Sequence, residues 1–399
     1  MAEGDSDLDW VTSSPPDEFG ERVKQAFAVV FGSPAQGVWA APGRVNLIGE
    51  HLDYNGGPVL PLAIPHRTMI AAAAREGCTI RLRSVQDPMT WDGSISDLVP
   101  GGVPGWCAYA AGVLWAMREA GHDVTGMDLL VDSEVPFGAG LSSSAALTCA
   151  IALAAYDLCV PSSADLDRRT IAQWCVRAEN EFAGAPTGGM DQAVVLRAEA
   201  DHAFLLDCAT FDAEHLLVPG DAELLVVDTR SHHALIDGKY GGRRQASERA
   251  AAELGVDCLA GVDHADLATV LARIDDSELQ GVVRHVVTET SRVREVAELL
   301  RAGQLAQIGP LLVHSHLSMR DDLVISTPEL DLVVESAMHA GGLGARMTGG
   351  GFGGSAVVLV RPGERGHVAA HIARAFEQAG CGRPGMIRVH AAPAAARLV

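Results

Sequence analysis

Four polar side chains crowd into APGRVNLIGEHLDYNGG, residues 41–57, a segment that otherwise has the composition of a buried strand. They are Arg44, Glu50, His51 and Asp53. Buried polar groups need hydrogen-bond partners, and a polyhydroxylated ligand would supply them, because carboxylates accept from hydroxyl groups while His and Arg donate to them. The segment therefore predicts a sugar-like binding site. An internal salt-bridge cluster is the alternative, and an E-H-x-D metal site is a weaker one.

A glycine- and serine-rich turn, VPFGAGLSSSAAL at residues 135–147, joins a predicted strand to an apolar helix. Gly138 and Gly140 permit unusual backbone dihedral angles, and Ser142 or Ser143 is predicted to cap the helix. The free amides of a first helical turn, with the helix dipole, form an anion site that needs no lysine. A plain capped turn is the alternative. A serine-hydrolase elbow is disfavoured because the motif is not GxSxG.

Lysine is almost absent from the chain. Only Lys24 and Lys239 occur among the 30 basic residues, and neither is followed by Ser or Thr. A Walker A loop requires Gly-Lys-Ser/Thr and is therefore excluded. If the protein handles ATP, it does so without a lysine-centred phosphate loop.

A third glycine-rich stretch, GARMTGGGFGGSAVVLV at residues 344–360, runs directly into an apolar strand. Glycines of this kind allow another segment to approach the backbone closely. A flexible linker is the alternative, but a linker is not normally followed at once by a buried strand. The stretch therefore predicts a packed loop.

Composition excludes several classes of function. The formal charge of −21 repels phosphate backbones and anionic lipid, so neither nucleic acid nor a membrane is an expected partner. The eight cysteines show no CxxC spacing, which favours reduced thiols over a zinc or redox motif. The acidic N-terminus carries no apolar signal region, and no apolar run reaches the ~20 residues that span a bilayer. These features predict a cytoplasmic protein.

Hydrophobic periodicity predicts the elements that position the motifs. A β-hairpin is predicted over residues 67–83, with its turn near Gly77. The length of 399 residues predicts two domains, with a boundary near residue 212: an N-terminal domain over 1–212 and a C-terminal domain over 213–399. The other predicted elements are helices over 18–32, 105–120, 143–159 and 164–182, a mostly helical region over 243–340, and strands over 37–48, 127–131, 203–208, 223–228 and 355–361.

The three motifs, in this order, closely resemble the signatures of the GHMP kinase superfamily. GRVNLIGEHLDYNGG is similar nearly letter for letter to the signature of galactokinases, and EFAGAPTGGMDQ, DGKYGGRRQ and SHLSMRDDLVISTPELD also resemble galactokinase segments, particularly of the actinobacterial type. The resemblance covers most of the chain. It implies an α+β fold with an N-terminal domain like ribosomal protein S5 domain 2 and a ferredoxin-like C-terminal domain, with the active site in the cleft between them.

The same resemblance implies an activity and a set of residue roles. The activity is ATP-dependent phosphorylation of the C1 hydroxyl of α-D-galactose to galactose 1-phosphate, the first committed step of galactose catabolism, with Mg²⁺ as cofactor. Asp191 matches the carboxylate beside that hydroxyl, as base or orienting group, and Arg44 matches the guanidinium that bridges the hydroxyl and the migrating phosphoryl group. The implied sugar-binding positions are Glu50, His51, Asp53, Gly188 and Tyr240; the triphosphate loop is Pro136, Gly138, Ala139, Gly140, Leu141, Ser142, Ser143, Ser144 and Ala145; and the magnesium ligands are Ser144 and Glu179.

Two positions depart from the family pattern. Leu52 stands where many galactokinases have Thr, and it is expected to point away from the sugar. Gly189 stands where Ile is usual, and it is expected to loosen the loop that carries Asp191. The alternative functions are a kinase for N-acetylgalactosamine or L-arabinose and a catalytically silent sugar sensor. The intact GLSSSAAL loop and Asp191 disfavour the sensor.

Overall fold

The computed structural model describes residues 8–160, 167–232 and 236–399. The helices are α1 (Pro16–Phe31), α2 (Cys107–Glu119), α3 (Ser143–Cys159), α4 (Arg168–Arg177), α5 (Met190–Arg197), α6 (Ile236–Leu254), α7 (Leu267–Leu271), α8 (Ser277–Arg301), α9 (Gly309–Asp321), α10 (Pro328–His339) and α11 (Arg365–Gln378). The strands are β1 (Gly37–Asn46), β2 (Pro58–Val59), β3 (Pro61–Arg75), β4 (Thr79–Ser84), β5 (Trp91–Ser94), β6 (Gly126–Ser133), β7 (His202–Asp207), β8 (Ala213–Leu217), β9 (Glu223–His232), β10 (Gly344–Thr348), β11 (Gly353–Val360), β12 (Gly385–Val389) and β13 (Ala396–Arg397).

The described strands form separate sheets, with orders β13-β1-β3-β6-β4-β5, β10-β11-β9-β12 and β2-β7-β8. Pairing is antiparallel in the ladders around β1, β3, β9 and β11, whereas β4 and β6 run parallel. Helices pack on largely antiparallel sheets, so the predicted α+β class is confirmed. The predicted boundary at residue 212 falls between β7 and β8, which pair with each other.

The predicted hairpin over residues 67–83 is wrong in its strand pairing, although its turn exists. Gly77 has φ 82° and lies between β3 and β4. However, β6 pairs antiparallel with β3 and parallel with β4, and so separates the two strands. Parallel strands need a long crossover, which β5 and α2 supply between β4 and β6. Local alternation cannot show this, because the intervening strand lies far along the chain.

The other predicted elements are largely confirmed. Helix α3 has its predicted bounds, and the predicted helices over 18–32 and 105–120 agree with α1 and α2 within a few residues. The predicted helix over 164–182 is α4 followed by a π-helical segment at Ala178–Ala183, and its first residues lie outside the described ranges. The prediction did not include α5, α11, β2, β5, β8, β10, β12 or β13.

The first sheet has an apolar layer on each face. Val38 and Ala40 of β1 pack with Phe19 and Phe27 of α1, while the alternate residue Trp39 belongs to the main core, which also contains buried side chains of α3. Helix α3 is apolar nearly all round, which is the pattern of a buried helix. Its N-terminus is therefore fixed relative to β1. In the described part of the chain, no helix is long and apolar enough to cross a lipid bilayer.

Candidate active site

The three sequence motifs meet around one cavity of about 270 Å³. The loop after β1, the start of α3 and the loop after β10 each contribute to its walls. Eight predicted site residues line it: Arg44, Glu50, His51, Asp53, Ser144, Glu179, Asp191 and Tyr240. The sequence reasoning did not include the other lining residues, which are Tyr109, Ala185, Pro186, Thr187, Met190, Gly349 and Gly350.

A bidentate ion pair between Arg44 and Asp191 connects the first motif with α5. Arg44 Nε lies 2.7 Å from Asp191 Oδ1, and Nη2 lies 2.8 Å from Oδ2. Arg44 Nη1 also donates to the Gly140 carbonyl at 2.7 Å, and the Ser142 hydroxyl donates to Asp191 Oδ2 at 2.5 Å. The carboxylate is thus oriented by two side chains, and the guanidinium contacts the Gly–Ser turn directly.

The backbone conformation at Gly189 explains why glycine, and not the usual isoleucine, occupies this position. It precedes α5 with φ 94°, a left-handed conformation that a β-branched residue such as isoleucine adopts only under strain. A Cβ at this position would lie 3.3 Å from the ring of Phe211. Gly189 therefore sets the direction in which α5 leaves the loop. Leu52, the other departure, is fully buried in the core, as predicted.

Asp53, which lines the cavity, fits closely against Gly188. A Cβ on Gly188 would lie 2.3 Å from Asp53 Oδ2, so only glycine leaves room for this carboxylate. Burial, with the nearby Asp191 carboxylate, raises the pKa of Asp53 to about 6. Arg44 pairs with Asp191, and no ion pair holds Asp53 within the described part of the chain, so the Asp53 carboxylate is suited to accept hydrogen bonds from ligand hydroxyl groups.

The rings of His51 and Tyr240 line the same cavity, and both pack against the ring of Tyr54. The ring centroid of His51 lies 5.6 Å from that of Tyr54 and 5.2 Å from that of Tyr240. Burial lowers the pKa of His51 to about 3, so the imidazole is neutral. Its Nε2 faces the Gly350 carbonyl at 3.4 Å, and because a carbonyl only accepts, this contact assigns the ring proton to Nε2. Nδ1 then accepts from the Tyr54 hydroxyl, which lies 2.5 Å away. Tyr54 was missed at the sequence level, although it lies within the first motif.

Glu50 is held by protein groups on both carboxylate oxygens. Oε1 accepts from the Thr348 hydroxyl at 3.0 Å and from the Gly349 amide at 2.9 Å. Oε2 accepts from Asn46 at 3.0 Å and from the Arg346 guanidinium. Burial raises the pKa of Glu50, and Arg346 opposes that shift. All three acidic and histidine side chains of the first motif line the cavity, but Glu50 differs from Asp53 and His51 because it is also tied into an internal salt bridge with Arg346.

The C-terminal half of the chain supports the backbone of the first motif. Arg346 Nη1 donates to the Leu47 carbonyl at 2.9 Å, and His285 Nε2 lies 3.1 Å from the Glu50 carbonyl. The Gly49 amide donates to Glu289 Oε1 at 3.0 Å. Burial alone would raise the pKa of Glu289, but Arg292 and nearby cations lower it to about 2. The sequence did not predict these contacts, because Glu289, His285 and Arg346 lie far along the chain from the first motif. Of the three, only Arg346 could have been suspected, because it lies within the third motif.

The third motif is a packed loop, as predicted, and it lies on the Gly–Ser turn. The Ser355 hydroxyl donates to the Ala139 carbonyl at 2.7 Å, and a Cβ on Gly349 would lie 3.1 Å from the Gly140 carbonyl. From the other side, β1 supports the turn through Arg44, whose amide donates to the Leu141 carbonyl at 3.1 Å. The turn is thus clamped between the two halves of the chain.

The predicted capping of α3 is wrong in its chemistry. Ser142 occupies the capping position with φ 57°, but its side chain makes no hydrogen bond to the first-turn amides. Its hydroxyl donates to Asp191 instead. The first-turn amides of α3 therefore remain available to an anion, which is what a phosphate site requires.

Ser144 and Glu179 line the cavity together and have the donors that a hard cation prefers. Glu179 Oε1 accepts from Gln192 at 2.8 Å and from Thr148 at 3.2 Å. Burial raises the pKa of Glu179 to about 7, with a further contribution from Asp191. A nearby cation would offset both effects. No cluster of three or more acidic, histidine or cysteine side chains forms a metal cage within the described ranges. Mg²⁺ does not need one, because it is usually held by one or two carboxylates together with substrate phosphates and water.

Three family models match the chain. They are the galactokinase galactose-binding signature over residues 25–74, the GHMP kinases N terminal domain over 108–199, and the GHMP kinases C terminal model over 296–378. The chain is 48% identical over 386 residues to a galactokinase of Streptomyces coelicolor, covering 94% of this chain and 98% of the relative. It is 43% identical over 365 residues to a galactokinase of Mycobacterium tuberculosis, covering 90% and 98%.

Solved structures agree with these matches. A Lactococcus lactis galactokinase complexed with galactose superposes with a TM-score of 0.90 at 30% identity, covering 95% of this chain and 99% of that one. A homoserine kinase from Cytophaga hutchinsonii has a TM-score of 0.56 at 16% identity over 91% and 97% of the two chains, and so shares the fold alone. The predicted fold, with its GHMP kinase N- and C-terminal domains, is confirmed.

Proposed function

The chain belongs to the galactokinase family and is a galactokinase, and from that membership we propose how its residues transfer the γ-phosphoryl group of ATP to the C1 hydroxyl of α-D-galactose. The observation that carries the proposal is the Arg44–Asp191 ion pair, which lies in the wall of the cavity and contacts the Gly–Ser turn. The Asp191 side chain is 20% exposed, against 3% for Glu50, so Asp191 can still reach a sugar hydroxyl while Arg44 reaches the migrating phosphate.

Phosphoryl transfer has a loose transition state with charge on the equatorial oxygens, so positioning and electrostatics supply most of the catalysis. The sugar O1 attacks the γ-phosphorus, the bond to the β–γ bridging oxygen breaks, and ADP leaves. Arg44 offsets charge on the migrating group. The hydroxyl proton passes to Asp191, late in the reaction, because an alkanol becomes acidic enough only as its oxygen bonds to phosphorus.

In the proposed sugar site, Asp53 accepts hydrogen bonds from sugar hydroxyls, and the neutral His51 ring offers a further polar contact. Tyr240 forms another wall of the site and packs against the third motif, since a Cβ on Gly350 would lie 3.1 Å from its ring. Gly188 contributes through its backbone and through the space it leaves for Asp53. Glu50 acts chiefly by fixing the loop, because both its oxygens already accept protein donors.

In the proposed nucleotide site, residues 136–145 surround the triphosphate with backbone amides and serine hydroxyls. Ser144 and Glu179 would hold Mg²⁺, which neutralises charge on the β- and γ-phosphate oxygens when bound. The need for ATP favours the cytoplasm as the compartment. Such a turn grips phosphate without any lysine, in keeping with the composition of the chain.

ADP release in a coupled assay tests the proposal across a panel of galactose, N-acetylgalactosamine and L-arabinose. We expect galactose to give the highest kcat/KM, and activity to disappear when Mg²⁺ is chelated. A higher kcat/KM with either other sugar would support the alternative specificity. Galactose binding without ADP release would support the silent sensor and refute the proposed reaction.

A further inference from the structure

A second cavity, of about 460 Å³, lies between α4 and α5, and the proposed reaction does not use it. Its volume falls within the range of about 300–1,000 Å³ that is typical of small-molecule sites. Helix α4, helix α5 and the turn before β8 form its walls. The lining residues are Arg169, Ala172, Gln173, Val176, Arg177, Ala193, Arg197, Thr210 and Phe211.

The inner surface of this cavity is apolar. Ala172 and Ala193 are buried, and Val176 is partly buried beside them. Phe211 remains 38% exposed and has φ 59°, an uncommon conformation for an aromatic residue. An exposed ring held over an apolar pocket by a strained turn is suited to contact a ligand, because covering it removes apolar surface from water.

Three arginines surround the cavity, and they differ in their partners. Arg177 forms a bidentate pair with Glu181, at 2.9 and 3.1 Å. Arg169 makes a single contact of 3.2 Å with Asp212, where both side chains are largely exposed. Such exposed pairs contribute about 0–1 kcal/mol, so an incoming anion replaces this one at little cost.

Arg197 is the third arginine, and no carboxylate lies within 4.0 Å of it in the part of the chain that the structure describes. Its Nη1 donates to the Phe211 carbonyl at 3.1 Å, and its guanidinium lies 5.1 Å from the centroid of the Phe204 ring. Burial, and then repulsion from Arg169, lowers its pKa. Arg169 and Arg197 both line the cavity, and they contact the adjacent residues Asp212 and Phe211 of one turn, so one anion can interact with both. Asp167 and Asp212 also lie in the neighbourhood.

We propose that this cavity binds a small amphipathic anion, whose apolar body packs between Ala172, Ala193 and Phe211 and whose carboxylate, sulfonate or phosphate lies between Arg169 and Arg197. The ligand is recognised by one negative charge joined to an aromatic or short aliphatic body. A polar sugar without an anionic group has neither an apolar body for the pocket nor a negative charge for the two arginines.

The site also connects to the catalytic loop. Phe211 lies 3.3 Å from where a Cβ of Gly189 would be, and Gly189 immediately precedes the helix that carries Asp191. Helix α4 continues into the π-helical segment that carries Glu179. A ligand that moves Phe211 or separates α4 from α5 therefore changes the positions of both carboxylates. This coupling rests on the proposed function, whereas binding itself does not.

Fluorescence titration with 8-anilinonaphthalene-1-sulfonate, an aromatic anion, tests binding in the full-length protein. We expect one site per chain that saturating galactose does not displace. Gln173→Trp fills the mouth of the cavity from an exposed position on α4, and Arg197→Gln removes a charge from it. Each change is expected to weaken binding at least tenfold. Gln25→Trp on α1 and Arg374→Glu on α11 are exposed controls, expected to bind like wild type.

Wild-type affinity in both Gln173→Trp and Arg197→Gln, displacement by galactose, or no saturable binding would each overturn the proposed site. The coupling is measured separately, as a change in kcat with bound probe in wild type that Gln173→Trp abolishes. An unchanged kcat at saturating probe would overturn the coupling and leave the binding result standing. Because binding is read without turnover, failure of this site is distinguishable from failure of the kinase assignment.

Discussion

Arg346 is fully buried against the Glu50 carboxylate, although the two residues lie 296 positions apart in the chain. The pair joins the third motif to the first and fixes the loop that carries His51 and Asp53. Because both groups are buried, the stability of this loop depends on both partners being present.

Arg346→Ala is therefore expected to destabilise the protein by about 3–5 kcal/mol, because it leaves a buried carboxylate unpaired. Urea unfolding measures the loss. The double variant Glu50→Gln with Arg346→Ala removes the stranded charge and should recover part of the stability, as a double-mutant cycle would show. A loss below about 1 kcal/mol in the single variant would contradict the clamp.

Asp191→Asn is expected to lower kcat at least a hundredfold, within the ~10²–10⁴ range of general acid–base contributions. Asparagine keeps the size of the side chain and one oxygen for Arg44, but it cannot take the hydroxyl proton. Galactose should still bind, which calorimetry measures independently of turnover. A variant that retains a tenth or more of the wild-type kcat would remove Asp191 from the mechanism.

Glu179→Ala and Ser144→Ala are each expected to raise the Mg²⁺ concentration for half-maximal activity at least tenfold, since even indirect partners of a metal contribute ~10–100-fold in affinity. Activity titrated with Mg²⁺ at saturating ATP and galactose measures this. Glu181→Ala is the matched control, because Glu181 is an exposed partner of Arg177 two positions from Glu179. Unchanged titrations in both test variants would refute the proposed ligands.

Galactose binding is expected to weaken as the pH falls through about 6, the raised pKa of Asp53, because protonation removes the acceptor for sugar hydroxyls. KM for galactose, measured between pH 5 and 8, should approach a tenfold rise per pH unit on the acid side. A flat profile over that range would show that the ionised carboxylate is not needed. The Asp53→Asn variant should lose the acid-side dependence along with much of its affinity.

The same shift predicts a stability effect. The pKa of Asp53 in the folded protein lies above its usual value of 3.8, so the folded state holds this proton more tightly than the unfolded state does. Protonation of Asp53 therefore stabilises the folded state at low pH, and this stabilisation is lost as the pH rises through about 6. Asp53→Asn should therefore stabilise the protein at pH 7.5 by about 1 kcal/mol or more, and by little at pH 4. Asp257→Asn, at an exposed position, is the control and should change neither.

Sequence reasoning located the site because each motif is local. The turn before α3 and the polar cluster at residues 44–53 are short segments. Their residue types alone indicate an anion site and a polar-ligand site. It failed where partners come from afar. Glu50 was predicted to contact the sugar, and it lines the cavity, but the sequence does not show that Arg346, Thr348 and Gly349 also bind its carboxylate.

Ser142 illustrates a second limit. Its position before α3 correctly predicted the start of the helix. Its hydroxyl, however, could either accept from the first-turn amides of α3 or donate to Asp191, and the choice depends on where α5 lies. Because Asp191 reaches the turn, the Ser142 hydroxyl donates a hydrogen bond to this charged acceptor, and its oxygen does not accept from the first-turn amides. No local pattern encodes that competition.

The place of β6 between β3 and β4 governs the order in which the first sheet is completed during synthesis. Strands β3 and β4 leave the ribosome before β6, joined by a turn that allows them to associate with each other. The central β3–β6 ladder closes only after α2 and β6 have emerged. The Gly140 carbonyl and the Asp191 carboxylate that hold Arg44 are synthesised later still, so Arg44 acquires its final surroundings only after most of the first half of the chain has emerged.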